Sequence, residues 1–366
     1  MQVPLVDLAA QYRSIQPEID RAIQRILDRT AFILGDEVRD FEAAFAGYVG
    51  ADGAVGVSSG TAAIELSLRA IGLQPGDEVI TTAHTFIATA EAISNGGGRP
   101  IFADVEPDTF NLDPNRVEAL VTDRTRAILP VHLYGHPADL TALMKIAERR
   151  GLYLIEDAAQ AVGAEIDGRR CGSIGHLACF SFYPGKNLGA YGDAGAVTSG
   201  DAELLDRIRR MRDHGRTTKY EHVEIGYAER IDALQAAVLA AKLPHLEAWT
   251  EARRAHARRY GELLQDGPVT PPVERDGVRH VYHLYVVRSP HRDALLEHLK
   301  ANGIAAGIHY PIPLHRQPAY AGLGYAEMSL PETERAAAEV LSLPMYPELT
   351  EEQLQHIASC VRSFAA

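Results

Sequence analysis

The sequence predicts an α/β protein that is built on a largely parallel, buried β-sheet. Short apolar runs between residues 54 and 199 show no alternation of polar and apolar positions, which is typical of strands covered on both faces. Segments with helical spacing of apolar residues lie between several of these runs. The length of 366 residues allows one large α/β domain and a smaller second domain.

The predicted elements follow one another along the whole chain. Two helices, over 15–30 and 37–50, precede seven strands expected within GAVGVSS, EVITTAHTF, RPIFADV, TRAILPVHL, LYLIEDAA, LACFSF and GAVTS. Helices are also predicted for TAAIELSLRAIGL, LTALMKIAERRG and LLDRIRRMRDHG, and for a long, nearly unbroken stretch over 230–264. A strand, HVYHLYVVRS, and two helices, HRDALLEHLKANG and EEQLQHIASCVRSF, follow. We therefore expect an N-terminal arm and large domain over 1–250 and a small α+β domain over 251–366.

Composition and charge argue against several classes of protein. The 36 Lys and Arg residues against 49 Asp and Glu residues give a net charge of −13, whereas nucleic-acid binding needs a basic surface. The N-terminus lacks the features of a signal peptide, and no stretch approaches the ~20 apolar residues of a membrane span. The three cysteines, and a His132/His136 pair that Gly135 and Pro137 keep off a helix, predict neither disulfides nor a metal site. We expect a cytoplasmic protein that binds neither nucleic acid nor membranes.

The segment SSGTAA is the first of four candidate parts of an active site. It joins a strand end to the start of a helix, where free N–H groups and the helix dipole favour an anion. Gly60 would let the backbone approach a phosphate. The alternative is an ordinary Ser/Thr helix cap. The segment matches neither GxxxxGK[ST] nor GxGxxG, which disfavours the nucleotide sites that those patterns form.

Two further parts supply a carboxylate and an amine. LYLIEDAAQA is an apolar strand that ends in Glu156 and Asp157, and open α/β sheets bind ligands at such strand ends. Asp157 could hold a proton on a ring nitrogen, or it could simply cap the next helix. In FSFYPGKNLGAYGDAGAV, Lys186 lies in an irregular loop with no charge close by. An amine removed from water has a lowered pKa and can form a Schiff base, although an arbitrary lysine is more often solvated.

The fourth part is Phe86 in TTAHTFIATAEA, which follows a strand and could either stack on an aromatic ring or pack in the core. Together the four parts fit a single ligand. Pyridoxal 5′-phosphate needs a lysine for its aldehyde, an acidic partner for its ring nitrogen and a phosphate site. The sequence therefore predicts a pyridoxal 5′-phosphate enzyme.

The motifs and their order resemble the DegT/StrS family of pyridoxal-phosphate-dependent nucleotide-sugar aminotransferases. The similarity runs from VPLVDLAAQY through SSGTAA, IEDAAQAVGA, FSFYPGKNLGAYGDAGAV and RIDALQAAVL to GIHYPIPLHRQPAY. It implies fold type I, with a seven-stranded mostly parallel sheet between helices and a smaller α+β C-terminal domain. It also implies a homodimer with its active site at the interface.

The resemblance assigns a role to each candidate residue of the cofactor site. Lys186 would form the Schiff base with the cofactor and move the substrate proton, and Asp157 would keep the ring nitrogen protonated. Gln160, one helical turn after Asp157, would lie near the phenolic oxygen, and Phe86 would stack on the ring. The phosphate would be held by Gly60, Thr61 and Ser181.

The same resemblance predicts the reaction. L-Glutamate would donate an amino group, by a ping-pong mechanism, to a nucleoside-diphosphate keto-sugar in amino-sugar biosynthesis for a polysaccharide or an antibiotic. IHYPIPLH and FSFYPGKNLG favour amination at C3, with a C4-specific aminotransferase and a non-catalytic regulatory protein as alternatives. His309 and Tyr310 are candidate sugar contacts. Lys219 and Tyr220 would reach the nucleotide sugar bound in the partner subunit.

One segment departs from the family pattern. The family usually has G-x-N-x-R before RIDALQAA, and its Asn reaches the cofactor phosphate of the neighbouring subunit, whereas this chain has Ala228 at that position. One hydrogen bond to a charged group, worth about 1.5–3 kcal/mol, should therefore be missing or replaced. Some family members are dehydratases that carry His in place of the Schiff-base lysine, so Lys186 favours aminotransfer.

Overall fold

The computed structural model describes residues 1–325 and 327–364. Its helices are α1 Leu8–Ser14, α2 Gln16–Arg29, α3 Asp36–Val49, α4 Gly60–Ala70, α5 Ala88–Asn95, α6 Pro114–Val117, α7 Leu140–Arg150, α8 Ala202–Met211, α9 Ala233–Lys242, α10 Leu246–Leu264, α11 Arg292–Ala301, α12 Pro331–Glu339 and α13 Glu351–Ser363. None of these helices in the described ranges combines the length and the apolar character needed to cross a membrane. The strands are β1 Gly53–Val57, β2 Glu78–Thr82, β3 Arg99–Ala103, β4 Thr125–Ile128, β5 Tyr153–Asp157, β6 Glu165–Ile166, β7 Arg169–Arg170, β8 Leu177–Ser181, β9 Gly195–Ser199, β10 Val278–Arg279, β11 Tyr285–Arg288 and β12 Val340–Leu343.

A seven-stranded sheet in the order β1-β9-β8-β5-β4-β2-β3 forms the centre of the large domain. β9 is antiparallel to both of its neighbours, whereas the other four pairs of adjacent strands are parallel. Because β1 and β8 both run opposite to β9, β1 points the same way as the parallel strands. Six strands therefore end at one edge of the sheet, and the predicted α/β class with a mostly parallel sheet is confirmed.

Helices cover both faces of this sheet. On one face Phe45 of α3 packs edge-on against Phe180 of β8, with ring centroids 5.0 Å apart. On the other face Ile64 of α4 belongs to the same buried cluster as Cys179 of β8. Neighbouring residues of a strand point to opposite faces. Cys179 and Phe180 are both buried because helices cover both of these faces. This two-sided burial explains why the strand sequences show no alternation.

The C-terminal part of the chain has a hydrophobic core of its own. β11 and β12 pair antiparallel in a two-stranded sheet. Their apolar residues form one cluster with residues of α10, α11 and α13, among them Tyr260, Tyr285, Leu295, Leu341 and Val361. The predicted boundary between residues 250 and 251 falls inside α10 and stays a prediction.

The long helix predicted over 230–264 is interrupted in the structure. α9 ends at Lys242, a 3₁₀ turn follows over Leu243–His245, and α10 then begins at Leu246. Pro244 lies in the turn, and a proline has no N–H to donate to the preceding helical turn. The apolar pattern continues across the interruption, so periodicity alone did not reveal it.

The strand predicted from HVYHLYVVRS is shorter than expected, because it begins only at Tyr285. The residues before Tyr285 hydrogen-bond to the large domain instead of to β12. Val281 N–H donates to Gly135 O at 3.0 Å, and Leu284 N–H donates to Tyr134 O at 3.3 Å. This irregular segment, residues 280–284, therefore lies against the large domain although its sequence has the composition of a strand.

Candidate active site

Most of the predicted site residues meet in one cavity at the strand ends of the main sheet. The cavity has a volume of about 550 Å³. Nine of the eleven predicted residues line it: Gly60, Thr61, Phe86, Asp157, Gln160, Ser181, Lys186, His309 and Tyr310. This position is the one expected for a ligand site in an open α/β sheet.

The start of α4 forms one corner of this cavity, which we call the anion-binding corner because anion binding is predicted there. Ser59 is the N-cap of α4, and its Oγ accepts a hydrogen bond from Ala62 N–H at 3.1 Å. The first N–H groups of a helix have no helical acceptor, and here they belong to Gly60 and Thr61, which line the cavity. The serine cap is therefore present, and it leaves the N–H groups of Gly60 and Thr61 available, so the anion site stays a prediction that the cap does not exclude.

Gly60 allows α4 to approach the end of β8 closely. A Cβ atom at residue 60 would lie 2.7 Å from Ser181 Cβ and 3.2 Å from Ser181 Oγ. A side chain at this position would therefore push α4 and β8 apart. With glycine, the N-terminus of α4 and the Ser181 hydroxyl can contact the same anion.

Asp157 is buried at the carboxyl end of β5. Its Oδ2 accepts a hydrogen bond from Thr89 Oγ1 at 2.8 Å, and its Oδ1 accepts one from Ala159 N–H at 3.2 Å. Burial raises the pKa of Asp157 above its ordinary value, while these two hydrogen bonds and the charge of Lys186 partly oppose the rise. The chain after Asp157 forms turns rather than a helix, so the helix-cap alternative is wrong.

Glu156, next to Asp157, holds the end of β5 through hydrogen bonds to a neighbouring loop. Its carboxylate accepts hydrogen bonds from the backbone N–H groups of one loop: Gly172, Ile174 and Gly175. It also accepts one from His132 Nε2 at 3.0 Å, because His132 Nδ1 already accepts from Ala138 N–H at 3.0 Å. His132, Glu156 and the buried Cys171 each offer one atom that could bind a metal ion, and these atoms lie close together. Since Glu156 has four protein donors, we interpret the group as structural support, and the expectation of no metal stays a prediction.

Lys186 lies in the loop between β8 and β9. Its backbone N–H donates to Tyr183 O at 2.8 Å, which fixes the start of the loop. Burial lowers the pKa of Lys186 to about 8, although the charge of Asp157 acts in the opposite direction. A buried amine with a lowered pKa has the properties of a nucleophilic lysine.

Gln160 makes hydrogen bonds to two separate segments of the chain at the cavity. Its Nε2 donates to Tyr310 OH at 3.1 Å, and its Oε1 accepts from Tyr134 N–H at 2.7 Å. The helical turn predicted between Asp157 and Gln160 is wrong. The Asp157 side chain caps a tight turn, which Ala161 N–H closes by donating to the carbonyl oxygen three residues before it, at 3.0 Å.

Phe86 lies on the cavity wall and not in the core, since 54% of its surface is exposed. Its ring centroid is 5.9 Å from that of Tyr310, with the ring planes tilted by 42°. Beside Tyr310, His309 Nδ1 is hydrogen-bonded to Ser342 Oγ at 2.8 Å. An accessible aromatic face in such a cavity can stack on a planar ligand.

Lys219 and Tyr220 lie outside this cavity. They belong to a segment over 217–225 in which Tyr220 is 81% exposed and Ile225 is 92% exposed. Lys219 Nζ lies 5.2 Å from the centroid of the Tyr220 ring. The structure therefore does not bring these two residues to the site of their own chain, and their role in a partner's site stays a prediction.

Sequence reasoning missed several residues that line the cavity, among them Thr89, Tyr183 and His283. Thr85 and Thr89 are four residues apart, and their hydroxyls lie 3.0 Å from each other. That helical spacing beside Phe86 was a signal for Thr89. His283 gave no such signal, because it stood within an apparently regular strand.

The donor set of the cavity fits pyridoxal 5′-phosphate. The N-terminus of α4 and the hydroxyls of Thr61 and Ser181 suit a phosphate group. Asp157 suits a protonated ring nitrogen, and Lys186 suits an aldehyde. Because residue 60 is glycine, no Cβ atom crowds Ser181 at this end of the cavity.

Comparison with known proteins identifies relatives along the whole chain. Residues 13–362 match the DegT/DnrJ/EryC1/StrS aminotransferase family. A pleiotropic regulatory protein of Geobacillus stearothermophilus is 50% identical over 100% of this chain and 99% of its own. A dTDP-3-amino-3,4,6-trideoxy-α-D-glucose transaminase of Streptomyces venezuelae is 48% identical over 100% of this chain and 96% of its own. The crystal structure of S. venezuelae DesV in complex with a ketimine intermediate is 48% identical and has a TM-score of 0.97, covering 99% of this chain and 98% of that chain.

Proposed function

Because the chain belongs to the DegT/DnrJ/EryC1/StrS aminotransferase family, we propose that it moves an amino group from L-glutamate to C3 of a nucleoside-diphosphate keto-sugar, with pyridoxal 5′-phosphate as cofactor. The relative named as a dTDP-3-amino-sugar transaminase supports this substrate class. The observation that carries the proposal is the position of Lys186 in one cavity with Asp157 and the anion-binding corner of α4.

In this proposal each part of the cofactor would be bound by different residues. Phe86 would lie against the ring, Gln160 near the phenolic oxygen, and Asp157 would hold a proton on the ring nitrogen. When bound, the cofactor withdraws electrons from the substrate carbon that loses or gains a proton. The residues that would hold the phosphate are Gly60, Thr61 and Ser181.

Lys186 would have two tasks. Its Nζ would hold the cofactor covalently at rest and, once an incoming amine displaces it, would accept the proton from the amine-bearing carbon of the donor. In the second half of the reaction the same Nζ would deliver a proton to C3 of the sugar. The lowered pKa of Lys186, about 8, supports this role, because a proton carrier works best when its pKa is near the working pH. Overall, L-glutamate becomes 2-oxoglutarate and the ketone becomes an amine.

Asp157 would keep the ring nitrogen charged. Without a ligand, burial favours the neutral acid and raises the pKa of Asp157. A positively charged ring N–H beside it would favour the carboxylate again. Thr89 and Ala159 already donate to both carboxylate oxygens, so the charged form is prepared for this partner.

We also propose that the protein is a homodimer in which each subunit completes the site of the other. The segment over 217–225 exposes three large apolar side chains: Tyr220, Val223 and Ile225. Exposed apolar groups that lie close together are typical of interaction surfaces. Lys219 and Tyr220 would then contact the nucleotide sugar held in the partner subunit.

The two alternatives explain less of the structure. The Geobacillus relative is named a pleiotropic regulatory protein, but a non-catalytic regulatory protein needs no lysine of lowered pKa in a cavity. Amination at C4 agrees less well with the relative that is named for a 3-amino sugar. We therefore favour a catalytic role and amination at C3.

The test is the visible absorption spectrum of the purified protein with added pyridoxal 5′-phosphate, before and after L-glutamate. We expect a visible band from the lysine-bound cofactor, a shift to shorter wavelength once glutamate has donated its amine, and no such band in Lys186→Ala. Lys145→Ala, which changes an exposed lysine of α7, is the control and should behave like the wild type. A band that glutamate leaves unchanged would contradict the proposed donor, and the absence of any band would contradict the cofactor.

A further inference from the structure

His283 is a cavity residue whose imidazole has no hydrogen-bond partner among the residues that the structure describes. It lines the cavity together with Leu284, His309 and Tyr310. Its Nδ1 is buried and has no hydrogen-bond partner, and no hydrogen bond among residues 1–325 and 327–364 involves its Nε2. A buried polar atom without a partner is uncommon and needs an explanation. A ligand in the cavity would provide one.

The backbone around His283 is fixed to the loop that carries Lys186. Asn187, which follows Lys186 directly, donates from Nδ2 to Val281 O at 3.0 Å. The residue after His283 is also held, because Leu284 N–H donates to the large domain. The position of His283 relative to Lys186 is therefore defined by hydrogen bonds on both sides of it.

Gly135 brings the same segment against the large domain. Its φ angle is +100°, a conformation that favours glycine. A Cβ atom at this position would lie 2.8 Å from Val281 Cγ2 and 3.0 Å from His283 N. The same Cβ atom would lie 3.2 Å from Gln160 O. Glycine at residue 135 therefore lets the turn lie against both the His283 segment and Gln160. His283 is therefore positioned by groups that belong to the cofactor side of the cavity.

Burial and the charges around His283 favour its neutral imidazole. Burial is the main reason that the pKa of His283 lies well below its ordinary value, and the positive charges of Lys186 and Arg253 lower it further. A neutral imidazole donates from one nitrogen and accepts at the other. That pair matches a hydroxyl group, which also donates and accepts. It does not match a carboxylate, which only accepts and is bound best by a cation.

We propose that His283 is a substrate-binding residue that recognises a hydroxyl group of the acceptor sugar beside the reacting carbon. The inference rests on the proposed function and names one residue that distinguishes its two substrates. Lys186 would act at the reacting carbon, and His283 lines the same cavity as Lys186, so a sugar held at Lys186 would present its neighbouring hydroxyl groups to the part of the cavity that His283 lines. L-Glutamate has no hydroxyl group, and the amino-donor half of the reaction should not depend on this contact.

The test compares the two halves of the reaction in three variants. His283→Phe keeps a planar ring and removes both nitrogens, whereas His283→Gln keeps one donor and one acceptor. His136→Phe is the matched control, because His136 is also buried with an unpartnered Nε2 but does not line this cavity. The probes are L-glutamate and dTDP-3-amino-3,4,6-trideoxy-α-D-glucose, which would return its amine in the reverse direction and has its only ring hydroxyl next to C3, at C2.

Single-turnover rate constants come from the visible spectrum of the cofactor-loaded protein. Affinity for the amino sugar comes separately from calorimetry in a Lys186→Ala background, which does not depend on turnover. His283→Phe should slow the sugar half-reaction and raise the dissociation constant of the amino sugar about five- to tenfold, the effect of one hydrogen bond. The glutamate rate constant should stay within about twofold of the wild type, His283→Gln should recover most of the loss, and His136→Phe should change neither half.

An equal loss in both half-reactions would show a structural role and overturn the proposal, as would an unchanged affinity for the amino sugar. If His283→Phe does not fold, His283→Leu, which also removes both nitrogens, takes its place in the same comparison. Failure of the proposed function would be visible in the wild type, as a protein that reacts with glutamate but with no amino sugar. That result would overturn the role of His283 as well.

Discussion

At Asp157, two hydrogen bonds oppose the effect of burial on a carboxyl group. Burial alone favours the neutral acid, which cannot pair with a positively charged ring nitrogen. Thr89 Oγ1, at 2.8 Å, supplies the hydrogen bond that lowers the pKa of Asp157 most. Thr89 is thus a positioning residue that acts through Asp157, and its hydroxyl helps to keep the carboxylate ready for the cofactor.

Thr89→Val tests this role, because valine has a similar shape but no hydroxyl. The lost hydrogen bond lowered the pKa of Asp157, so the pKa should rise further, by roughly 0.5–1 unit for a bond worth about 0.5–1.5 kcal/mol. The carboxylate is then protonated at a higher pH, and the acidic limb of kcat/KM should move upward by the same amount. The measurement is the pH profile of the cofactor-loaded protein.

Thr89→Ser is the control for this experiment. Serine retains the hydroxyl group, so its acidic limb should lie within about 0.3 unit of the wild type, which corresponds to a few tenths of a kcal/mol. If the limb of Thr89→Val stays in place while its activity falls, Thr89 acts by packing and not through the Asp157 carboxylate.

At the scale of elements, the phosphate corner depends on how closely α4 approaches β8. Gly60→Ala would place a Cβ atom 2.7 Å from Ser181 Cβ, and crowding of this kind costs about 1–3 kcal/mol. The strain falls on the proposed phosphate site, so we expect the dissociation constant of pyridoxal 5′-phosphate to rise about tenfold, at 1.4 kcal/mol per factor of ten. Titration of the visible band measures it.

Gly47→Ala is the matched control for the Gly60 variant. Gly47 lies in α3, and a Cβ atom there would meet no other atom within 4 Å. Alanine is also the better helix former by about 1 kcal/mol, so this variant should melt at the same or a higher temperature with unchanged cofactor affinity. If Gly60→Ala binds the cofactor as tightly as Gly47→Ala does, the close approach of α4 has no role in phosphate binding.

Ala228 is the position where this chain differs from the pattern that its sequence resembles. Its backbone pairs with that of Asp213 in an isolated β-bridge, so the segment is held in place and only the side chain is short. Ala228→Asn should restore one hydrogen bond to the partner's cofactor phosphate and lower the dissociation constant of the cofactor about tenfold or more. Ala228→Val is the control, and equal affinities of the two variants would contradict the role across the interface.

The sequence was sufficient to predict the seven strands of the main sheet along the chain and the residues at their ends, because buried parallel strands have distinctive apolar runs, but it did not predict the order of those strands in the sheet. It was insufficient where tertiary hydrogen bonds override local pattern. Residues 280–284 have strand composition, yet they bond to the turn at Gly135. The turn between Asp157 and Gln160 forms because Asp157 accepts from Ala159 N–H, a choice that a helical pattern does not reveal.

At the scale of the whole molecule, the proposed function requires a dimer. Ile225 is 92% exposed, which is unfavourable for a large apolar side chain unless another surface covers it. Ile225→Asp would bury a charge in that interface, so we expect the dimer dissociation constant to rise at least tenfold, with a parallel loss of activity at low protein concentration. Analytical ultracentrifugation measures the first effect.

Val273→Asp is the matched control, because Val273 is also exposed, at 39%, and lies outside the 217–225 segment. It should leave the dimer intact. A wild-type protein that sediments as a monomer at every concentration would contradict the shared active site, and so would a fully active Ile225→Asp monomer.

The cavity also shows what a single chain contributes to the site. Nine predicted residues from both parts of the chain line it, because strand ends and the segment from 280 to 310 converge there. Phe86 was ambiguous in the sequence, since an aromatic residue after a strand can face a core or a cavity; its exposure of 54% decides the question. His283 could be found only once the position of its segment was known.

The most direct test of the central claim is to follow the nitrogen atom. The protein is incubated with pyridoxal 5′-phosphate, [¹⁵N]L-glutamate and a dTDP-3-keto-sugar, and the product is examined by NMR. We predict that ¹⁵N is found on C3 of the sugar, with one equivalent of 2-oxoglutarate per amine, and that Lys186→Ala gives neither product. Transfer of ¹⁵N to a 4-keto-sugar but not to the 3-keto-sugar would contradict the claim, as would 2-oxoglutarate formation without any ¹⁵N on the sugar.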